Sequence, residues 1–127
     1  MGSSANGAGD PGIYTGEKGI LGFNEICLNI KNNNWVVVQD PEANMGPYAY
    51  KGKQWVGYDD INMVGVKAQY ILDNDLGGAM FWDITMDDFM GDCGGERFPL
   101  ISKVHDILSI CSGMSFFSLD EWKLAYV

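Results

Sequence analysis

The pattern of hydrophobic and polar positions changes its period once along the chain, near residue 59. Between residues 13 and 58, apolar and aromatic residues form short runs separated by turn-forming residues, which predicts short strands. Two aromatic runs, residues 48–50 and 54–58, flank Lys51-Gly52-Lys53 and predict a hairpin with a glycine in its connection. Large aromatics alternate along these runs, which predicts a small sheet with one packed face.

From Asp59 the apolar positions follow a helical period. Asp59 is the predicted N-cap, and Asp60 adds favourable negative charge to the first turn. The predicted helix spans residues 59–74, and its buried side carries Ile61, Val64, Ala68, Ile71 and Leu72. A second predicted helix begins at Pro99, a residue favoured at the first helical position, and extends to Leu108.

Between these helices lies a short apolar run, Ala79-Met80-Phe81-Trp82, bounded by glycines and acids. It predicts a strand over residues 79–84 that is buried on both faces, as in a parallel sheet. Helix, buried strand and helix in this order indicate α/β architecture of the barrel or doubly wound kind. A single buried strand leaves both of its edges unpaired. The chain is therefore predicted to be part of a larger fold.

Composition narrows the classes of partner. The 127 residues are 46% hydrophobic and 13% aromatic, which is enough for a packed core, and the formal net charge is −9. A surface with this much negative charge repels nucleic acid and anionic lipid. No apolar run approaches the roughly 20 residues that are needed to span a bilayer. The negative charge does not exclude an uncharged polysaccharide as a partner. The polar first residues contain no apolar signal-peptide core, so no signal peptide is predicted in this chain.

Metal and cofactor chemistry find little support among the residues. Cys27, Cys93 and Cys111 form no CxxC pair, and His105 is the lone imidazole, so no zinc site is predicted. Residues 73–75 are acidic but lack the spacing and the terminal glutamate of an EF-hand. No motif places a serine or cysteine beside His105 for a catalytic triad. We therefore expect no metal ion and no cofactor.

Four blocks, in order, resemble glycoside hydrolase family 18 chitinases and chitinase-like lectins. The strongest is the Gly-Gly-Ala-Met-Phe-Trp string followed by Asp-Asp-Phe; the blocks are residues 19–27, 47–60, 77–89 and 97–101. The resemblance implies an α/β fold, namely a partial TIM (β/α)8 barrel with part of an α+β insertion domain. Its implied segments are a flexible lead-in (1–12), a partial insertion domain (13–58), the last helix–strand–helix of the barrel (59–108) and an unmatched tail (109–127).

The resemblance also implies roles for four residues. Trp82 would lie at the end of barrel strand eight and form the floor under the sugar at the cleavage point. Glu25 would lie on an insertion-domain strand that walls the cleft and accept hydrogen bonds from saccharide; a solvated strand residue is the equal alternative. Cys27 and Cys93 match positions that form a disulfide in animal members, with two buried thiols as the alternative. Asp83 departs from the alanine or serine usual after the tryptophan.

The family's catalytic acid belongs to an Asp-x-x-Asp-x-Asp-x-Glu motif, and this sequence contains no such string. The resemblance implies a parent chitinase that hydrolyses β-1,4-linked N-acetylglucosamine outside cells, monomeric at full length. This chain would help to form the cleft for chitin or chitooligosaccharide and would be inactive alone, with no catalytic residue of its own. A non-catalytic lectin-like or growth-factor-like member and a free-standing interaction module are the alternatives.

Overall fold

The computed structural model of the chain describes residues 6–42 and 44–111. Its elements in chain order are α1 (Phe23–Asn33), β1 (Val36–Val38), β2 (Tyr48–Lys51), β3 (Gln54–Gly57), α2 (Ile61–Asp73), a 3-10 turn (Ile84–Met86) and α3 (Pro99–Cys111). No helix in this part of the chain is long and apolar enough to cross a membrane. The unmatched tail lies outside these residues from position 112 onward.

Helix α1 corrects the expectation of short strands throughout residues 13–58. Ile26, Leu28 and Ile30 alternate with polar residues and so imitate a strand, whereas Phe23, Ile26 and Ile30 also recur at helical spacing. The helix ends at Asn34, whose left-handed backbone (φ 54°) asparagine tolerates better than most residues. Glu25, predicted on a strand, therefore lies in the first turn of a helix.

The predicted hairpin is confirmed. Strands β1, β2 and β3 form one antiparallel sheet in that order. Lys51 pairs with Gln54, so the connection between β2 and β3 is the two-residue turn Gly52-Lys53. Gly52 has a φ of +59°, a conformation that is strained for residues with a side chain.

The sheet packs on its aliphatic face. Ala49 at the centre of the sheet is fully buried, and its cross-strand partners on the same face are Val37 and Val56. The large rings lie on the other face, where Tyr50 and Trp55 are exposed. The alternation of aromatics predicted a sheet with one packed face. The sheet has such a face, but small and β-branched residues form it, and the large rings lie on the open side.

Helices α2 and α3, which their helical patterns predicted, pack against each other. Val64 and Ala68 of α2 meet Val104 of α3 in a buried cluster, with Leu100, Ile107 and Leu108 packed against it. Ile61 was expected on the buried stripe but is exposed, because it stands in the first turn, beyond the contact with α3.

The N-cap of α2 is one residue later than predicted. Asp60 has extended backbone geometry, and its Oδ1 accepts a 2.8 Å hydrogen bond from the Met63 N–H. Asp59, the predicted cap, instead forms an ion pair with Lys67. Asp60 is the cap because its extended backbone directly precedes the helix and its carboxylate reaches the N–H three residues on.

The strand predicted over residues 79–84 does not form in this chain. The peptide groups of residues 77–82 make no hydrogen bond to any described residue, and Met80 and Trp82 are 81% and 87% exposed. A parallel strand needs a neighbour at each edge to satisfy its N–H and C=O groups. The described part of the chain places no strand beside this segment, so the helix–strand–helix expectation holds only for its two helices.

Candidate functional site

Trp82 ends the unpaired segment of residues 77–82 and turns its indole to solvent. The peptide bond between Trp82 and Asp83 is cis. Asp83 then caps the 3-10 turn: its carboxylate accepts a hydrogen bond from the Thr85 hydroxyl and a 2.8 Å hydrogen bond from the Thr85 N–H. These two bonds lower the pKa of Asp83 below its usual value. The tryptophan is therefore followed by an ionised and internally bonded carboxylate.

Asp87 joins this turn to helix α3. Its buried Oδ2 accepts hydrogen bonds from the N–H groups of Leu100 (3.1 Å) and Ile101 (3.0 Å). These N–H groups belong to the first turn of α3 and have no partner within the helix. The prediction that α3 starts at Pro99 is confirmed. The capping role of Asp87 was not predicted, because Asp87 lies twelve residues before the helix and leaves no local sequence signal.

Asp88, the next residue, organises the loop that follows. Its fully buried carboxylate accepts hydrogen bonds from three successive N–H groups, those of Gly91 and Asp92 at 3.0 Å and that of Cys93 at 2.7 Å. Its carbonyl accepts a 2.8 Å bond from the Phe98 N–H. The carboxylates of Asp87 and Asp88 thus both accept hydrogen bonds from backbone N–H groups of their own chain.

The loop after the turn is fastened to helix α1. Cys27 and Cys93 form a disulfide with a Cα–Cα distance of 5.6 Å, which confirms the predicted pairing. Beside it, Lys31 Nζ donates a 2.8 Å hydrogen bond to the carbonyl of Asp92. The disulfide and this hydrogen bond hold residues 92 and 93 against helix α1.

Glu25 lies inside the structure, and its carboxylate bonds to the segment before α1. Oε1 accepts from the N–H groups of Tyr14 (2.7 Å) and Thr15 (3.0 Å), and Oε2 accepts from the Gly22 N–H (2.8 Å) and the Thr15 hydroxyl (3.0 Å). Burial raises the pKa of Glu25, but these hydrogen bonds together outweigh burial and leave the pKa below its usual value. Residue 12 is glycine because a Cβ there would lie 1.9 Å from Oε1.

The two predicted saccharide contacts therefore have different surroundings. Glu25 is 2% exposed and borders a groove of about 330 Å³, together with Leu28, Asn29, Trp35 and Gln54, whereas Trp82 is not among the residues that line it. The strand position predicted for Glu25 is wrong. Its role as a sugar ligand stays a prediction, and the geometry favours a positioning role. Sequence reasoning missed that role, although Glu25 follows the helix cap Gly22 by three residues, which is a known capping spacing.

No three His, Cys, Asp or Glu side chains converge to hold a metal ion in residues 6–42 and 44–111. Three acids after Trp82 hold backbone groups of the chain. Asp83 caps a turn, Asp87 caps a helix and Asp88 holds a loop. The arrangement thus presents two exposed aromatic side chains, Phe81 (38% exposed) and the far more exposed Trp82, on a segment whose downstream end is firmly held.

Comparison with known proteins places this arrangement in a family. Residues 1–87 match the model of glycosyl hydrolases family 18. The chain is 42% identical over 102 residues to "Probable chitinase 10" of Drosophila melanogaster, covering 80% of this chain and 4% of that protein.

Two solved structures resemble the chain in shape as well. Catalytic domain 2 of the Ostrinia furnacalis Group II chitinase matches with a TM-score of 0.83 and 38% identity, over 86% of this chain and 29% of that one. Human YKL-39, described as a pseudo-chitinase with retained chitooligosaccharide binding properties, matches with a TM-score of 0.77 and 39% identity. This match also covers 86% of this chain and 29% of that one. The chain thus spans less than a third of each solved relative. It belongs to glycosyl hydrolases family 18.

Proposed function

We propose that this chain supplies part of the chitooligosaccharide-binding cleft of a longer family 18 protein, and that Trp82 is its principal contact with the sugar. The observation that carries the proposal is the 87% exposure of the Trp82 indole. An indole is costly to leave in water, and its apolar face stacks well on the C–H face of a pyranose ring. The N–H of the indole adds one hydrogen-bond donor at the edge of the same surface.

The geometry around Trp82 supports a rigid contact. Asp83 and Thr85 fix the turn that follows it, and Asp87 fixes that turn to α3. Glu25 acts at the other side by holding residues 14–22, and it would reach a saccharide only by giving up the hydrogen bonds it accepts there. We therefore assign sugar contact to Trp82 and positioning to Glu25.

Hydrolysis by this chain alone is not part of the proposal. A glycosidase needs a carboxylic acid that can give a proton to the leaving oxygen. The sequence contains no Asp-x-x-Asp-x-Asp-x-Glu string. Asp83 has a lowered pKa, which makes it a poor proton donor at neutral pH, and Asp87 and Asp88 are buried against backbone N–H groups. The acids near Trp82 therefore support structure.

Two functions of the longer protein remain candidates, and each is favoured by a relative. The Ostrinia furnacalis chitinase domain is an enzyme, whereas human YKL-39 is a pseudo-chitinase that binds chitooligosaccharides. Binding of the oligosaccharide is common to both, so the proposal for this chain is the same in either case. The disulfide supports action outside the cytosol, because such bonds persist in oxidising compartments.

The test is titration of the 127-residue chain with soluble chitopentaose, followed by the indole resonances in NMR spectra. We expect saturable shifts of the Trp82 signal, a loss of binding of about ten-fold or more in Trp82→Ala, and no release of shorter oligosaccharides. Met80→Ala is the matched control, because Met80 is equally exposed on the same segment but has no ring. Unchanged affinity in Trp82→Ala would refute the assignment, and measurable hydrolysis would refute the claim of inactivity.

A further inference from the structure

A second set of aromatic side chains lies on the open face of the sheet, where Tyr50 and Trp55 are exposed and Tyr48 is half-buried. Tyr48 and Tyr50 of β2 have ring centroids 6.3 Å apart with planes inclined by 31°, and Tyr48 and Trp55 of β3 are 5.9 Å apart and inclined by 33°. Tyr50 is 39% exposed and Trp55 is 58% exposed. We call these three rings the aromatic face. The three rings are therefore neighbours on two adjacent strands.

The strand register explains why the rings gather on one side. Tyr50 pairs directly with Trp55 across β2 and β3, and Tyr48 is opposite Gly57. Residues two apart on one strand and residues directly opposite on the next point to the same side of a sheet. Val36 of β1 is opposite Tyr50 and is also exposed, so one cross-strand row is apolar over all three strands.

Gly57 lets the Trp55 indole lie along its strand. A Cβ at residue 57 would stand 3.1 Å from Cη2 of Trp55, with two further atoms of the same ring at 3.7 and 3.8 Å. The six-membered ring therefore rests over the glycine backbone. A side chain at position 57 would displace this ring.

This face suits one class of ligand. The rings carry no charge, and the chain as a whole has a net charge of −9, which disfavours anionic polymers. Aromatic faces are electron-rich and attract the polarised C–H groups of an uncharged pyranose, while the hydroxyl and indole N–H groups at ring edges bond to its polar groups. A sheet face also contacts a ligand from one side only, which matches a polysaccharide packed in a solid.

We propose that Tyr48, Tyr50 and Trp55 form a second saccharide-binding surface, separate from Trp82, which adsorbs the chain to the surface of insoluble chitin. The choice of an N-acetylglucosamine polymer rests on the proposed function, whereas the preference for uncharged pyranoses rests on the aromatic face itself. Adsorption at this surface would keep the longer protein near a solid substrate while Trp82 contacts a single sugar chain.

The experiment measures depletion of the 127-residue chain from solution by insoluble chitin at 0.15 M salt. We expect Trp55→Ala and Tyr50→Ala each to lower the partition coefficient by about five-fold or more. Tyr70→Ala should leave it unchanged, because Tyr70 is a tyrosine on α2 that is 61% exposed and lies outside the aromatic face. Trp55→Phe should restore most of the binding, and unchanged circular dichroism would show that the variants fold.

The outcomes separate this inference from the proposed function. Adsorption that is lost in Trp55→Ala and kept in Trp82→Ala supports the aromatic face, whatever the result with soluble chitopentaose. Equal adsorption of wild type, Trp55→Ala and Tyr50→Ala overturns it, as does a wild-type chain that stays in solution. Equal loss in the Tyr70→Ala control would show adsorption through any exposed ring and would also overturn it.

Discussion

The carboxylate of Asp88 accepts a 2.7 Å hydrogen bond from the backbone N–H of Cys93, the cysteine that is bridged to Cys27. Two further bonds, from Gly91 and Asp92, reach the other carboxylate oxygen. The loop that brings Cys93 to α1 is therefore shaped by a buried charge and not by the disulfide alone. Asp88 is a positioning residue for the covalent link between the two parts of the chain.

We expect Asp88→Asn to lower the free energy of unfolding by about 2–3 kcal/mol, because an amide nitrogen would replace one of two acceptors inside a cradle of N–H donors. Urea unfolding measures this loss. Asp106→Asn removes the same charge from an exposed position on α3 and should cost less than about 0.5 kcal/mol.

Asp88→Asn should also slow formation of the disulfide. In a Cys111→Ser background, which leaves one cysteine pair, we expect the reduced Asp88→Asn chain to reoxidise more slowly than its Asp106→Asn counterpart. Thiol titration over time gives both rates. Equal rates would mean that Asp88 stabilises the loop without guiding Cys93 to Cys27.

Reduction of the disulfide is expected to destabilise the chain by about 4 kcal/mol, if the stabilisation is mainly entropic, because the bond closes a loop with a sequence separation of 66 residues. Urea unfolding with and without a reducing agent tests the value. The double variant Cys27→Ala/Cys93→Ala should be insensitive to reductant, and Cys111→Ser should respond as the wild type does. An effect of reductant on the double variant would assign the loss to something other than this bond.

The stability conferred by Glu25 should depend on pH. Its pKa in the folded chain lies below the usual value of 4.5. The folded chain therefore binds a proton at Glu25 less readily than the unfolded chain does. The contribution of Glu25 to the free energy of unfolding is complete above the pKa of the unfolded chain and is lost as pH falls through the pKa of the folded chain. Comparing unfolding free energies of the wild type and Glu25→Gln from pH 7 to pH 3, we expect a constant difference above about pH 5.5 that shrinks below it. A difference independent of pH would contradict this origin.

The two aspartates before α2 should differ in their effect. Asp60→Ala removes the acceptor of the Met63 N–H and should cost about 1 kcal/mol. Asp59→Ala removes only the ion pair with Lys67 at the surface and should cost less than about 0.5 kcal/mol. Thermal unfolding of the two variants ranks them. The reverse order would restore Asp59 as the helix cap.

Local patterns were sufficient where an element is determined by its own residues. The apolar stripe with Val64 and Ala68 predicted α2, Pro99 predicted the start of α3, and the aromatic runs around Gly52 predicted the hairpin. Each signal acts over a few residues and needs no distant partner. The family resemblance added the pairing of Cys27 with Cys93, which residue spacing alone left open.

Patterns failed where the deciding contact is distant or belongs outside the chain. Helix α1 was missed because Ile26, Leu28 and Ile30 also satisfy the period of a strand. Glu25, whose carboxylate closes its first turn, was therefore predicted on a strand, as a sugar ligand or a solvated residue. The strand over residues 79–84 was predicted from its apolar residues, but a strand also requires neighbours, which sequence composition cannot supply. The first error comes from an ambiguous hydrophobic period, and the second from hydrogen-bond partners that the described part of the chain does not supply.

Asp87 and Asp88 are adjacent in sequence but serve different parts of the chain, one the first turn of α3 and the other the loop of Cys93. A residue inserted between them would have to displace either the helix or the cysteine. Gly94 has no neighbouring atom within 4 Å of a Cβ built on it, so an extra residue there would meet open space. Among homologous chains, changes in length should therefore accumulate after Cys93 and be excluded from the pair of aspartates.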